Sequence, residues 1–74
     1  MSNRAQHVVP RGDHWSVRSS GAVRVAGTFA TQGEALAVAR ARAMSRGTFL
    51  YIHGRDGLIQ ERISFGEDPH PSKG

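Results

Sequence analysis

The 74 residues contain no cysteine, so neither a disulfide nor a thiolate zinc site can brace the fold. Lysine is almost missing: of the ten basic residues only Lys73 is lysine, and the rest are arginine. Aromatic residues are scarce, with one Trp, one Tyr and three Phe. Apolar runs extend over only a few residues, well short of a membrane span. Met1-Ser2-Asn3-Arg4 leads into none of the apolar sequence that a signal peptide requires. These absences point to one small, soluble, cytoplasmic domain, stabilised by tight packing, self-association or a partner.

What is present is mainly arginine. Ten basic against six acidic residues give a net charge of +4. Guanidinium groups form forked hydrogen bonds to phosphate and carboxylate and stack on flat rings, which favours an anionic partner.

The pattern along the chain predicts the order β-β-β-α-β-β. Residues 1–6 are polar and expected to be disordered. A single domain then runs over 7–66, and a Pro/Gly-rich polar tail over 67–74 is expected to be flexible. His7-Val8-Val9-Pro10 and His14 to Ser19 read as a hairpin closed at Arg11-Gly12-Asp13, with Trp15 and Val17 on one face. Ala22 to Ala30 alternates as a third strand, with Val23, Val25 and Phe29 facing in and Gly27 a candidate bulge. Thr31-Gln32-Gly33-Glu34 has the form of a capping box, with Thr at the N-cap and Glu three residues on. The Ala- and Arg-rich run to Arg46 is helical, and Gly47 stops it. Thr48 to His53 and Leu58 to Phe65 are strands joined by Gly54-Arg55-Asp56-Gly57, with Ile59, Ile63 and Phe65 facing in. The fold class is α+β: an antiparallel sheet of about five strands with one helix on one face.

Several of these pieces occur together in a known family. They are Val8-Val9-Pro10, Gly12, Trp15 and Val17; Thr31 and Ala35; His53-Gly54-Arg55-Asp56-Gly57; and Gly66, Asp68-Pro69, Pro71 and Lys73-Gly74. The combination resembles the bacterial and phage domain of unknown function 2188 family, from about His7 to Gly74. The resemblance implies a small α+β domain of prokaryotic origin, opened by a β-hairpin, and implies no activity. The helix departs from the family pattern at Ala37, Val38, Ala41 and Met44, where relatives look more charged.

The tempting catalytic motif is His53 with Asp56, but no Ser or Thr nucleophile is marked out beside them. The segment reads better as a turn in which Asp56 caps its own backbone. Pairing in the first hairpin would bring His7 toward His14, yet two imidazoles without carboxylates make a poor metal site, and no metal or other cofactor is expected. Arg11-Gly12-Asp13 is a turn rather than an adhesion signal. No enzymatic activity is expected.

If Trp15 and Val17 face the helix, the opposite sheet face shows Ser16, Arg18, Arg24, Thr28, Gln60, Arg62 and Ser64. Arg18, Arg24 and Arg62, supplemented by Arg42 and Arg46, would track a phosphate backbone. With no aromatic residue expected on that face, the partner is read as double-stranded nucleic acid held electrostatically. The alternative is a self-associating protein–protein adaptor that uses the outer helix face or a sheet edge. Val38, Ala41 and Met44 form an apolar outer stripe suited to homo-oligomerisation or to a protein partner.

Overall fold

Alternation and capping translate directly into elements. The computed structural model describes residues 4–65. It contains β1 (Gln6–Arg11), β2 (His14–Ser19), β3 (Gly27–Phe29), α1 (Gln32–Arg46), β4 (Phe49–His53) and β5 (Ile59–Ser64). The expected tail over 67–74 and the first three residues of the expected N-terminal segment lie outside the described residues. β1 begins at Gln6, one residue before the expected strand start.

Gly12, at φ 62°, turns the chain between β1 and β2, where a side chain would strain the backbone. The hairpin register pairs Val8 with Val17 and Pro10 with Trp15. β3 pairs with the outer side of β2. The helix then carries the chain back across the sheet, so β4 enters beside β1 and parallel to it. β5 pairs antiparallel with β4. The order across the sheet is β3-β2-β1-β4-β5, with three antiparallel pairings and one parallel.

Helix termination follows the residues that predicted it. Thr31 is extended at φ −127°, ψ 157°, and its hydroxyl accepts from the Glu34 N–H at 3.1 Å. The Glu34 carboxylate reaches back to the Ala30 N–H at 3.2 Å, one residue earlier than the usual reciprocal bond. Gly47 takes the left-handed conformation at φ 61°, ψ 49°. The Thr48 N–H bonds to the Ala43 carbonyl and the Gly47 N–H to the Met44 carbonyl, the paired bonds of a Schellman closure.

The core lies between the helix and one sheet face. Val8, Trp15, Val17, Leu50 and Ile52 pack against Ala35, Ala39 and Ala43, which recur every four residues along one stripe. Alanine on that stripe lets the helix backbone sit close to the sheet. Phe29, Leu36, Ile63 and Phe65 close the periphery. The buried Gln6 amide joins three segments. Its Nε2 donates to the Arg4 carbonyl and the Ser19 hydroxyl, and its Oε1 accepts from Arg42 Nε at 3.0 Å.

Three expectations about the sheet change. β3 has only three residues, so Val23 is 98 % exposed and Val25 lies outside the strand. Gly27 starts β3 rather than bulging, and the Phe29 ring folds back over the space where its Cβ would lie. A register shift between Ile52 and His53 leaves Ile59 54 % exposed instead of inward.

Candidate functional site

The face away from the helix carries the unabsorbed chemistry. In β4, Leu50 and Ile52 are buried in the core, so the two-residue period sends Phe49, Tyr51 and His53 to the open face. In β1, Val8 is buried, so His7 is sent to the same face. The parallel register places His7 opposite Tyr51, the hairpin register places it opposite Arg18, and Tyr51 lies opposite Arg62. One row across four strands therefore reads Arg18, His7, Tyr51, Arg62. At the usual strand spacing it spans about 14 Å.

The rings are in contact. His7 stacks on Tyr51 with centroids 5.0 Å apart and planes 19° apart. Phe49 lies 6.0 Å from Tyr51, and the Arg62 guanidinium sits 5.5 Å from the Phe49 centroid. Phe49 is 40 % exposed.

At the β1 end of the row the hydrogen bonds form a directed string. His53 Nδ1 lies 3.0 Å from the Gly57 carbonyl, which only accepts, so a neutral His53 carries its proton on Nδ1. His53 Nε2 is then an acceptor, and His7 Nδ1, 3.1 Å away, donates to it. His7 Nε2 in turn accepts from the Ser20 hydroxyl at 2.8 Å. All four ring nitrogens are engaged. Burial, then the nearby His53, then Arg18 hold the His7 imidazole below its ordinary value of 6.5.

These groups line a shallow pocket of about 330 Å³ formed by His7, Val9, Arg18, Ser20, Gly21 and His53. Arg4 Nη1 flanks it, 3.9 Å from where a Cβ on Gly21 would stand. Among the described residues no group of three His, Cys, Asp or Glu side chains is placed to hold a metal ion.

The expected arginine set divides. Arg18 and Arg62 share the open face. Arg24 sits in the exposed connection before β3, outside any strand, because β3 is short. Arg42 is on the helix side, bonded to Gln6, and Arg46 is in the last helical turn. Gln60 falls in the irregularity of β5 and lies against Gly54 instead of joining the face. Ser16, Thr28 and Ser64 occupy the open face as expected by register, although Ser16 is fully buried there. His14 pairs with Arg11, so the neighbour of His7 is His53 and not His14. The absence of aromatic residues from this face is overturned by Phe49 and Tyr51. Asp56 does cap its own turn, accepting from the Leu58 N–H at 3.0 Å, and His53 turns away from it to Gly57. On the helix, Val38, Ala41 and Met44 are exposed on the outer side, with Met44 56 % accessible.

A family model described as "Uncharacterized protein conserved in bacteria (DUF2188)" matches residues 6–65. The chain belongs to that family. The match ends at residue 65, so the family model does not cover the resemblance seen from Gly66 to Lys73-Gly74. A relative, "Uncharacterized protein YdaT" of Bacillus subtilis (strain 168), is 35 % identical over 66 residues, covering 89 % of this chain and 44 % of the relative. The chain therefore spans less than half the length of that relative. No solved structure matches. Among the described residues no helix is long and apolar enough to cross a membrane.

Proposed function

We propose that the domain is a non-enzymatic nucleic-acid-binding module that uses its open sheet face. The observation that carries this reading is the cross-strand row Arg18, His7, Tyr51, Arg62, with Phe49 beside it. Guanidinium groups at the two ends suit phosphates, and rings between them suit the flat faces of bases. The expectation of a duplex rests on a face without aromatic side chains. With Phe49 and Tyr51 there, unpaired bases become the better fit, because a duplex keeps its base faces stacked. Aromatic residues on a sheet that stack single-stranded bases are known on other folds, which supports the reading by analogy only. The compartment that suits this role is the bacterial cytoplasm.

The test is a fluorescence-anisotropy titration with oligothymidylate and with a duplex of equal length, at about 50 mM and 200 mM salt. Tighter binding of the single strand, weakened by salt, is expected. No binding of either at the lower salt would refute the reading.

A second reading rests on the outer helix face. The exposed Val38, Ala41 and Met44 suit a second copy of the chain, and light scattering across a concentration series tests it. A rise in mass with concentration, reversed by Val38→Glu, is expected. A strict monomer at millimolar concentration removes it.

A further inference from the structure

The pocket at the β1 end of the row has properties that the function reading does not use. Among the described residues its lining includes a guanidinium, two imidazoles and a hydroxyl, with no carboxylate. A second guanidinium, from Arg4, stands beside Gly21. The site is therefore built for an oxyanion. Yet the neutral string spends its protons internally. Ser20 gives its proton to His7, His7 gives its own to His53, and His53 gives its own to Gly57. An arriving oxyanion finds no free imidazole N–H.

One added proton changes this. If His53 is protonated, it donates from both nitrogens, to Gly57 and to His7 Nδ1. His7 must then carry its proton on Nε2, pointing at Ser20. The Ser20 hydroxyl loses its acceptor and is free to donate into the pocket. The imidazole pair also gains a positive charge next to Arg18 and stacked on Tyr51. Among the described residues that line the pocket there is no carboxylate to compete with an arriving anion. Arg62 lies beyond Tyr51 on β5, the Gln32 amide of α1 donates to the His53 carbonyl, and the Asp56 carboxylate accepts from the Leu58 N–H while His53 Nδ1 faces the Gly57 carbonyl instead.

We propose that this pocket binds one phosphodiester oxyanion between Arg18 and Ser20, and that the His7–His53 pair takes up one proton as it binds. In its strand-bound form the proposal rests on the nucleic-acid reading above. It deepens that reading by making affinity proton-linked and by fixing where one phosphate sits.

The experiment uses oligothymidylate without terminal phosphates, so that neither bases nor phosphates titrate between pH 5.5 and 7.5. A single linked proton raises affinity by up to about tenfold per pH unit as the pH falls. That dependence is expected in the wild type and in His14→Gln, and is expected to vanish in His7→Gln and in His53→Gln. Because either substitution alone risks disturbing the sheet, both are checked for an unchanged thermal transition at pH 7.5. Ser20→Ala is expected to weaken binding at pH 5.5 with little effect at pH 7.5. Oligonucleotide binding that is independent of pH, or pH-dependent equally in His7→Gln, overturns the proposal and leaves the nucleic-acid reading intact. If no oligonucleotide binds, that reading fails, and dimethyl phosphate decides the pocket by NMR. Shifts at the His7 and Arg18 resonances that strengthen with falling pH support it as a site for a free phosphodiester, and their absence overturns it.

Discussion

His7 links stability to pH through a single side chain. Its imidazole resists protonation when folded, whereas the unfolded chain accepts a proton near 6.5. Below 6.5 the unfolded state binds more protons, so stability declines as pH falls toward the lower folded value, and it is undiminished above 6.5. Melting temperatures measured over that window in low-anion buffer are expected to fall with pH in the wild type and to fall less in His7→Gln. Equal slopes would show that burial does not disfavour the charged ring. Ser16 gives an opposite kind of prediction. Its side chain is fully buried between Val9 and Thr28, and Oγ has no hydrogen-bond partner among the described residues. An unpaired buried hydroxyl is unfavourable, so Ser16→Ala is expected to raise stability by about 1 kcal/mol in urea unfolding. A loss of that size instead would mean the hydroxyl is satisfied in solution.

At the scale of elements, the helix is defined by its end and by its buried stripe. Gly47 closes it in a conformation that costs a residue with a side chain about 1 kcal/mol or more, so Gly47→Ala is expected to lower the urea-derived stability by that amount. The space around it is ordinary, with the Phe65 carbonyl 3.9 Å from an added Cβ, so the cost is conformational rather than steric. Ala39 is fully buried against the sheet. Ala39→Leu forces the helix away and is expected to cost about 1–3 kcal/mol, read as a lower melting temperature. The same change at the exposed Ala37 is expected to be nearly neutral. The helix ends are legible in the sequence because they are local, with Thr31 and Glu34 announcing the start and Gly47 the stop; alanine alone does not mark the buried side, since Ala37 and Ala41 repeat the same spacing on the exposed face, and the bulkier Leu36 is the better guide. The third strand was less legible. Its alternation from Val23 onward is a real pattern, but the pairing stops at Val17 and Gly27 although β2 runs on to Ser19, and the Arg18 side chain there donates to the Ala22 carbonyl of the connection. The displacement of Ile59 is hidden for a similar reason, since it follows from a register shift against β4 between Ile52 and His53, which alternation within β5 does not reveal.

At the scale of the molecule, the decisive fact is a pairing between strands far apart in sequence. Alternation alone assigns Phe49, Tyr51 and His53 to the face away from Leu50 and Ile52, and it assigns His7 away from Val8. What alternation does not give is the insertion of β4 beside β1, which brings His7 against Tyr51 and His53 across more than forty positions. In the sequence the arginines form one set for the same reason. Only the assembled sheet separates Arg18 and Arg62 on one face from Arg42 on the other. Family membership, matched over residues 6–65, adds a bacterial setting without adding chemistry.

The central claim is that nucleic acid meets the sheet and not the helix. It is tested most directly by comparing oligothymidylate affinity in two double variants that each remove two positive charges, Arg18→Ala/Arg62→Ala and Arg40→Ala/Arg46→Ala, with Tyr51→Ala alongside. Loss of a base-stacking ring is expected to weaken binding by about 1–3 kcal/mol, and the sheet-face pair is expected to weaken it at least as much. The helix pair is expected to change it by no more than about threefold, the residue of long-range charge screened by salt. Equal losses in the two double variants, with Tyr51→Ala unchanged, would contradict the account.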